Sequence, residues 1–160
     1  MISEIAGTAA LSVVLVAAIA VTLVRRPDSE RLVSAGLAAM IAIAVQLAHF
    51  GEELFTAFNR RFPDILGLEP WPDSFFVAFN VFWLSIWASA VGAVLVRRFT
   101  VPAAAALWFL GLAAILNGVA HPILGFATGG YFPGLVTAPF SGLAGLFLVW
   151  KLARVPGARV

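Results

Sequence analysis

Five long apolar segments, separated by short stretches that carry nearly all of the charge, dominate the sequence. They cover residues 5–24, 32–58, 75–96, 101–127 and 131–150. Each is long enough to cross the hydrocarbon core of a bilayer, which takes about 20 residues of α-helix. The pattern therefore predicts an all-α fold, a polytopic transmembrane bundle of five helices, with residues 1–160 forming a single integral membrane domain.

The basic residues predict how these spans are oriented. Most of them lie between spans one and two, between spans three and four, or after span five: Arg25, Arg26, Arg31, Arg97, Arg98, Lys151, Arg154 and Arg159. The opposite side has only Arg60 and Arg61. Because short basic loops stay on the cytoplasmic side, we predict an external N-terminus and a cytoplasmic C-terminus.

Composition supports a location in the cell membrane and excludes several functions. The chain is 62% hydrophobic and 11% charged, whereas soluble domains have about 25% charged residues. With no cysteine there is no disulfide framework, thiolate metal site or cysteine nucleophile. The net charge is only +2 and the basic residues lie in pairs between spans, so no nucleic-acid partner is expected. The predominance of Arg over Lys, with abundant Ala and Val, is typical of a GC-rich bacterial genome.

Ionisable side chains converge at one depth inside the predicted spans. His49, Glu52 and Glu53 follow a charge-free run and have the i, i+3, i+4 spacing that places side chains on one helix face. Asn117 and His121 lie on one face of span four, at nearly the same depth and in the outer-leaflet half. An ionised group at the bilayer centre costs about 2.5–3.5 kcal/mol, so such residues are interpreted as functional.

Two imidazoles and two carboxylates form a common ligand set for Zn or non-haem Fe. We therefore predict a divalent-metal site whose candidate ligands are His49, Glu52, Glu53 and His121. The predicted catalytic groups are Glu52 as general base, Asn117 orienting or polarising the substrate, Tyr131 as acid or oxyanion donor, and Thr137 supporting a ligand through a hydrogen bond. A metal-free alternative also remains, because two adjacent carboxylates repel and can share the roles of acid and base.

These groups favour a membrane hydrolase or isomerase that acts on membrane lipids or another lipid-like, apolar substrate. One alternative is a non-catalytic protein that binds or carries a small molecule or ion through the same polar cluster. Another is a structural subunit whose polar layer only links helices.

Trp71, between spans two and three, is expected to anchor at the membrane surface rather than to cover the polar layer. Gly134, Gly142 and Gly145 are expected to allow close helix packing.

Three ordered motifs support a family resemblance over roughly residues 45–150. They are His49-x-x-Glu52-Glu53, Asn117-x-x-x-His121 and Tyr131-x-Pro133-Gly134-x-x-Thr137. Together they resemble the HXXEE family of integral membrane proteins, whose function is unknown and for which an enzymatic role has only been supposed. The resemblance implies that the following residues belong to one site: His49, Glu52, Glu53, Asn117, His121, Tyr131, Gly134 and Thr137.

Overall fold

The computed structural model describes residues 2–25 and 27–155, and in this part of the chain it is all-α without a β-strand. Six helices follow one another: α1 (Ile2–Arg25), α2 (Gly36–Phe55), α3 (Phe58–Ile65), α4 (Asp73–Leu95), α5 (Thr100–Ala127) and α6 (Ala138–Ala153). Two short helical turns, Ser29–Leu32 and Val33–Ala35, precede α2. The predicted all-α class is confirmed.

Four helices of the described part are long and apolar enough to cross a membrane, namely α1, α2, α4 and α5. The described part has one helix more than predicted, because the polar connector after α2 contains α3. Helix α2 ends at Phe55, earlier than predicted, because the Ala57 backbone turns into the left-handed region at φ 60°. The helix of the fifth predicted span begins later than the span itself. Residues 131–137 are not helical, and α6 begins only at Ala138.

Helix α5 is the centre of the bundle and packs on α1, α2, α4 and α6. Its contact with α6 depends on glycines. A Cβ atom on Gly118 would lie 2.6 Å from the Gly142 Cα, and one on Gly145 would lie 2.6 Å from the Gly111 carbonyl oxygen. The expected packing role of Gly142 and Gly145 is confirmed. Gly134 is different, since it lies outside any helix.

The two ends of the bundle differ in character. At one end, Arg25 donates a hydrogen bond to the Ala153 carbonyl oxygen (2.7 Å) and Arg97 lies 3.5 Å from Glu30. These contacts bring the three basic regions together. Of the residues used for the orientation, Arg26 and Arg159 lie outside the described part of the chain, as does the Arg31 side chain.

The opposite end is covered by the connector between α2 and α4. Its Trp71 is only 5% exposed and packs with Phe50 and Phe76, while Asn59 Nδ2 donates to the Trp71 carbonyl oxygen at 2.9 Å. Trp71 is therefore a core residue, and its expected role as a membrane-surface anchor is wrong. The connector forms a cover over the end of the bundle that contains both histidines.

Candidate metal centre

Helices α2 and α5 bring three ionisable side chains into one buried group. His49 and Glu53 lie one turn apart on α2, and His121 faces them from α5. Glu53 Oε1 is 3.5 Å from His49 Nε2 and 3.3 Å from His121 Nε2, and the two imidazole rings are 4.7 Å apart in a T-shaped arrangement. All three residues are buried, and their candidate ligand atoms lie within 4.8 Å of one another. The predicted common depth of the two histidines is confirmed.

The hydrogen bond of His121 determines which of its ring nitrogens is free. Its Nδ1 lies 2.6 Å from the Pro133 carbonyl oxygen. A carbonyl can only accept, so Nδ1 carries the proton, and in the neutral ring Nε2 has the lone pair. That lone pair faces Glu53.

His49 is held in the same tautomer by a longer chain of hydrogen bonds. The Thr137 hydroxyl donates its single proton to Glu52 Oε2 at 2.6 Å, and the same hydroxyl oxygen lies 2.7 Å from His49 Nδ1. With its proton committed to the carboxylate, Thr137 must accept from His49 Nδ1–H. The Nε2 atom of His49 is therefore also a lone-pair donor.

Two imidazole lone pairs thus face one carboxylate, and no hydrogen bond can join them unless a proton is added. His49 Nε2 is buried and has no hydrogen-bond partner among the described residues. The 3.3 and 3.5 Å separations are long for a charge-assisted hydrogen bond, which measures about 2.7–2.9 Å. They match the separation of about 3.4 Å between two ligands that each lie about 2.1 Å from one tetrahedral ion. The donor set fits a metal ion.

Gly134 allows the backbone to approach both imidazoles. Its φ is +84°, and an added Cβ would lie 2.5 Å from His121 Cε1 and 2.9 Å from His49 Cε1. Only a residue without a Cβ fits here, for both conformational and steric reasons. The same segment supplies the Pro133 carbonyl and Thr137, so the loop before α6 holds both rings in position.

Glu52 lies outside the three-residue group, although it was predicted as a ligand. Its Oε1 accepts hydrogen bonds from Tyr131 Oη (2.7 Å) and the Val136 amide (3.0 Å), and its Oε2 from the amide and hydroxyl of Thr137 (2.7 and 2.6 Å). Glu52 therefore joins α2 to the loop before α6. Burial, followed by the hydrogen bond to Glu52, raises the pKa of the Tyr131 phenol above its ordinary value of 10.0.

A cavity of about 180 Å³ adjoins the group. Glu53 and His121 line it, as does Asn117, whose side chain makes no hydrogen bond to any described residue. Eight aromatic side chains line it: Phe58, Phe62, Trp71, Phe76, Phe79, Trp83, Trp87 and Phe109.

Sequence reasoning missed this aromatic lining and the Pro133 carbonyl. Phe75, Phe79, Trp83 and Trp87 recur at intervals of four residues, a helical spacing that could have revealed an aromatic face of α4. A backbone carbonyl has no comparable signal in the sequence.

The fold and the site define a class of protein: an all-α chain whose described part has four helices long and apolar enough to cross a membrane, with a buried His–Glu–His group between two of them. The chain belongs to the HXXEE family. The profile of that family, described as "Protein of unknown function with HXXEE motif", matches residues 40–149. The letters of the motif are His49, Glu52 and Glu53, so the residues that define the family are part of this group and its support. No curated protein and no solved structure matches the chain significantly.

Proposed function

We propose that this protein is a membrane metalloenzyme that binds one divalent ion, Zn or Fe, through His49 Nε2, His121 Nε2 and Glu53. The observation that carries the proposal is the buried His49 Nε2, which has no hydrogen-bond partner among the described residues and lies beside a carboxylate and a second lone-pair nitrogen. Two histidines and one carboxylate are the protein ligands of one class of catalytic Zn sites and of one class of non-haem Fe(II) sites.

A three-ligand set leaves a coordination position for substrate or water, which is typical of catalytic rather than structural metal sites. Glu53 and His121 line the cavity, so a substrate in the cavity would lie beside two of the residues that would hold the ion. A bound divalent ion would polarise an oxygen-bearing substrate and acidify a bound water. The substrate is a membrane lipid or another apolar molecule, and the reaction is a hydrolysis or an isomerisation.

The surrounding side chains have distinct roles in this proposal. Asn117 orients or polarises the substrate, since it lines the cavity and has both donors and an acceptor to offer. Glu52, Thr137 and Tyr131 act as positioning residues. They hold the His49 ring and its tautomer through hydrogen bonds, as the outer partners of metal-binding histidines commonly do.

In the proposed arrangement the protein lies in a bacterial cell membrane. It has five spans, and its metal centre lies in the outer-leaflet half. Helix α6 is the fifth span; its 16 residues measure about 24 Å at 1.5 Å per residue. The clustering of the basic regions at one end supports a cytoplasmic C-terminus.

This orientation can be tested with single cysteines, because the chain contains none. Asp64→Cys in the outer connector should react with a membrane-impermeant maleimide in intact cells. Arg98→Cys, exposed at the opposite end, should react only after permeabilisation. The reverse pattern would overturn the orientation.

The metal centre is tested by elemental analysis of protein extracted gently in detergent, without chelators. We expect about one Zn or Fe per chain, and its loss in Glu53→Gln and His121→Gln. Asp64→Asn, an exposed acid in the connector, is the matched control and should retain the metal. Protein that holds no metal and does not take up added Zn or Fe(II) would exclude the metal centre.

A second candidate function, non-catalytic binding of a small molecule, is favoured by the cavity itself. Transport is less well supported, because the half of the bundle away from the site is packed with apolar side chains such as Ala39, Leu107, Leu110 and Leu148. Metal-loaded protein in liposomes that binds an added lipid without converting it would support the binding role over the enzyme.

A further inference from the structure

The cavity beside Glu53 and His121 extends to a gap between two helices. Helices α1 and α4 both pack against α5, but their backbones hardly approach each other. Both nevertheless line the cavity, α1 through Thr8, Ala10 and Leu11, and α4 through Phe79, Asn80 and Trp83. In a membrane, a gap between two lipid-facing helices opens towards acyl chains rather than towards water.

The volume of the cavity limits how much of a ligand it can enclose. An engineered apolar cavity of about 150 Å³ binds benzene, so about 180 Å³ accommodates a ring or a short piece of chain. A complete lipid does not fit. A lipid could place its polar end and first carbons here, while its tail remains between α1 and α4 in the bilayer.

The charges around the cavity limit the chemistry of that polar end. Among the described residues, Glu53 is the only Asp, Glu, Lys or Arg that lines it. The nearby arginines are engaged elsewhere. Arg60 forms an ion pair with Asp73 at 3.2 Å, and Arg61 donates to the Tyr131 carbonyl at 3.4 Å. Phosphate groups are usually recognised by Arg or Lys, so a phosphorylated head has no cationic side chain to bind.

Neutral hydrogen-bonding groups are present instead. Asn117 has no hydrogen-bond partner among the described residues, and the Asn80 amide nitrogen donates to the Phe76 carbonyl oxygen, which leaves the amide oxygen of Asn80 to accept. Two amides beside the proposed metal centre suit an alcohol, ketone or ester. We propose that the ligand is a neutral lipid with such an oxygen function, which enters from the bilayer between α1 and α4. This inference rests on the proposed metal centre in one respect only, namely the binding of the lipid's oxygen atom by the metal ion.

The experiment compares two amphiphiles that share a tail, 1-hexadecanol and hexadecyl phosphate. Native mass spectrometry of the full chain in a non-ionic detergent reports bound lipid and bound metal separately. We expect one hexadecanol per chain. In protein stripped of metal by a chelator, hexadecyl phosphate should bind at least about tenfold more weakly than hexadecanol, because a charged head then has no cationic partner and is costly to bury. Equal or tighter binding of hexadecyl phosphate would overturn the proposal that the ligand has a neutral head group.

Two neighbouring alanines on α1 test the route. Ala10 lines the cavity, whereas Ala9 is exposed but does not line it. Ala10→Phe should weaken hexadecanol binding by about tenfold or more through overpacking, and Ala9→Phe should leave it unchanged. Equal effects of the two substitutions, or no hexadecanol binding by metal-loaded protein, would overturn the inference. Hexadecanol binding by protein that neither holds a metal nor takes up added Zn or Fe(II) would overturn the metal centre alone and leave this lipid site standing.

Discussion

Replacing Gly134 with alanine tests the way in which the loop before α6 holds the two histidines. The new Cβ would lie 2.5 Å from His121 Cε1, whereas ordinary contact begins at 3.4 Å, so the ring must retreat by about 0.9 Å. Metal–ligand distances tolerate about 0.2 Å. We therefore expect Gly134→Ala to lower metal affinity by more than tenfold.

The same substitution also affects stability through two separate costs. A non-glycine residue in the left-handed region costs about 1–2 kcal/mol, and overpacking against the rings adds about 1–3 kcal/mol. The free energy of unfolding should therefore fall by about 2–5 kcal/mol. Tryptophan fluorescence during unfolding in mixed micelles measures it, and elemental analysis on the same samples measures the metal.

Gly129→Ala is the matched control. Gly129 also has a positive φ, +71°, but an added Cβ there has nothing within 4 Å. This variant should show only the cost of backbone strain, about 1–2 kcal/mol, and should retain its metal. Normal metal affinity in Gly134→Ala would refute the proposed geometry. Equal metal loss in both variants would show that strain, not contact with the rings, is responsible.

Three further predictions follow from the hydrogen bonds and the packing. Thr137→Val should weaken metal affinity about 10–100-fold, because it frees the His49 ring, whereas Thr137→Ser should keep the affinity of the unchanged protein. Equal affinities of Thr137→Val and the unchanged protein, in a competition titration with a chelator, would contradict the role of the hydrogen bonds from Glu52 through Thr137 to His49. Tyr131 is the only tyrosine, so absorbance at 295 nm should show its pKa above 10.0. Because the fold favours the neutral phenol, the stability that Tyr131 contributes is present below about pH 10 and is lost as the pH rises through the raised pKa of the phenol. Thermal unfolding of Tyr131→Phe should therefore not show this loss of stability at high pH. Gly145→Ala should destabilise the bundle by about 1–3 kcal/mol, while Gly92→Ala, with open space around it, should not, as measured by unfolding in mixed micelles.

The candidate metal site was partly predictable from the sequence. His49, Glu53 and His121 were recognised because ionisable groups are rare inside apolar spans and because helical spacing places them at a common depth. The role of Glu52 was less predictable. It is adjacent to Glu53, but consecutive residues on a helix point about 100° apart, so each carboxylate has its own neighbours.

Those neighbours come from distant parts of the chain. Glu52 receives its hydrogen bonds from residues 131–137, about 80 positions later. Helical periodicity describes only neighbours on the same helix, so it could not identify these donors. The position of Trp71 was missed for a similar reason, since the rings that bury it lie on other elements.

The sequence by itself determined that the chain is helical and has segments long and apolar enough to cross a membrane, because the polar backbone of a segment in lipid must satisfy its hydrogen bonds within that segment. It also determined which ionisable residues share a depth. Only the tertiary structure decided that the two histidines present Nε2 lone pairs to Glu53. It also decided that Glu52 holds the His49 ring through Thr137 instead of joining the group. Tautomers and ligand directions depend on partners such as the Pro133 carbonyl and Thr137, which the folded loop alone brings into contact with the rings.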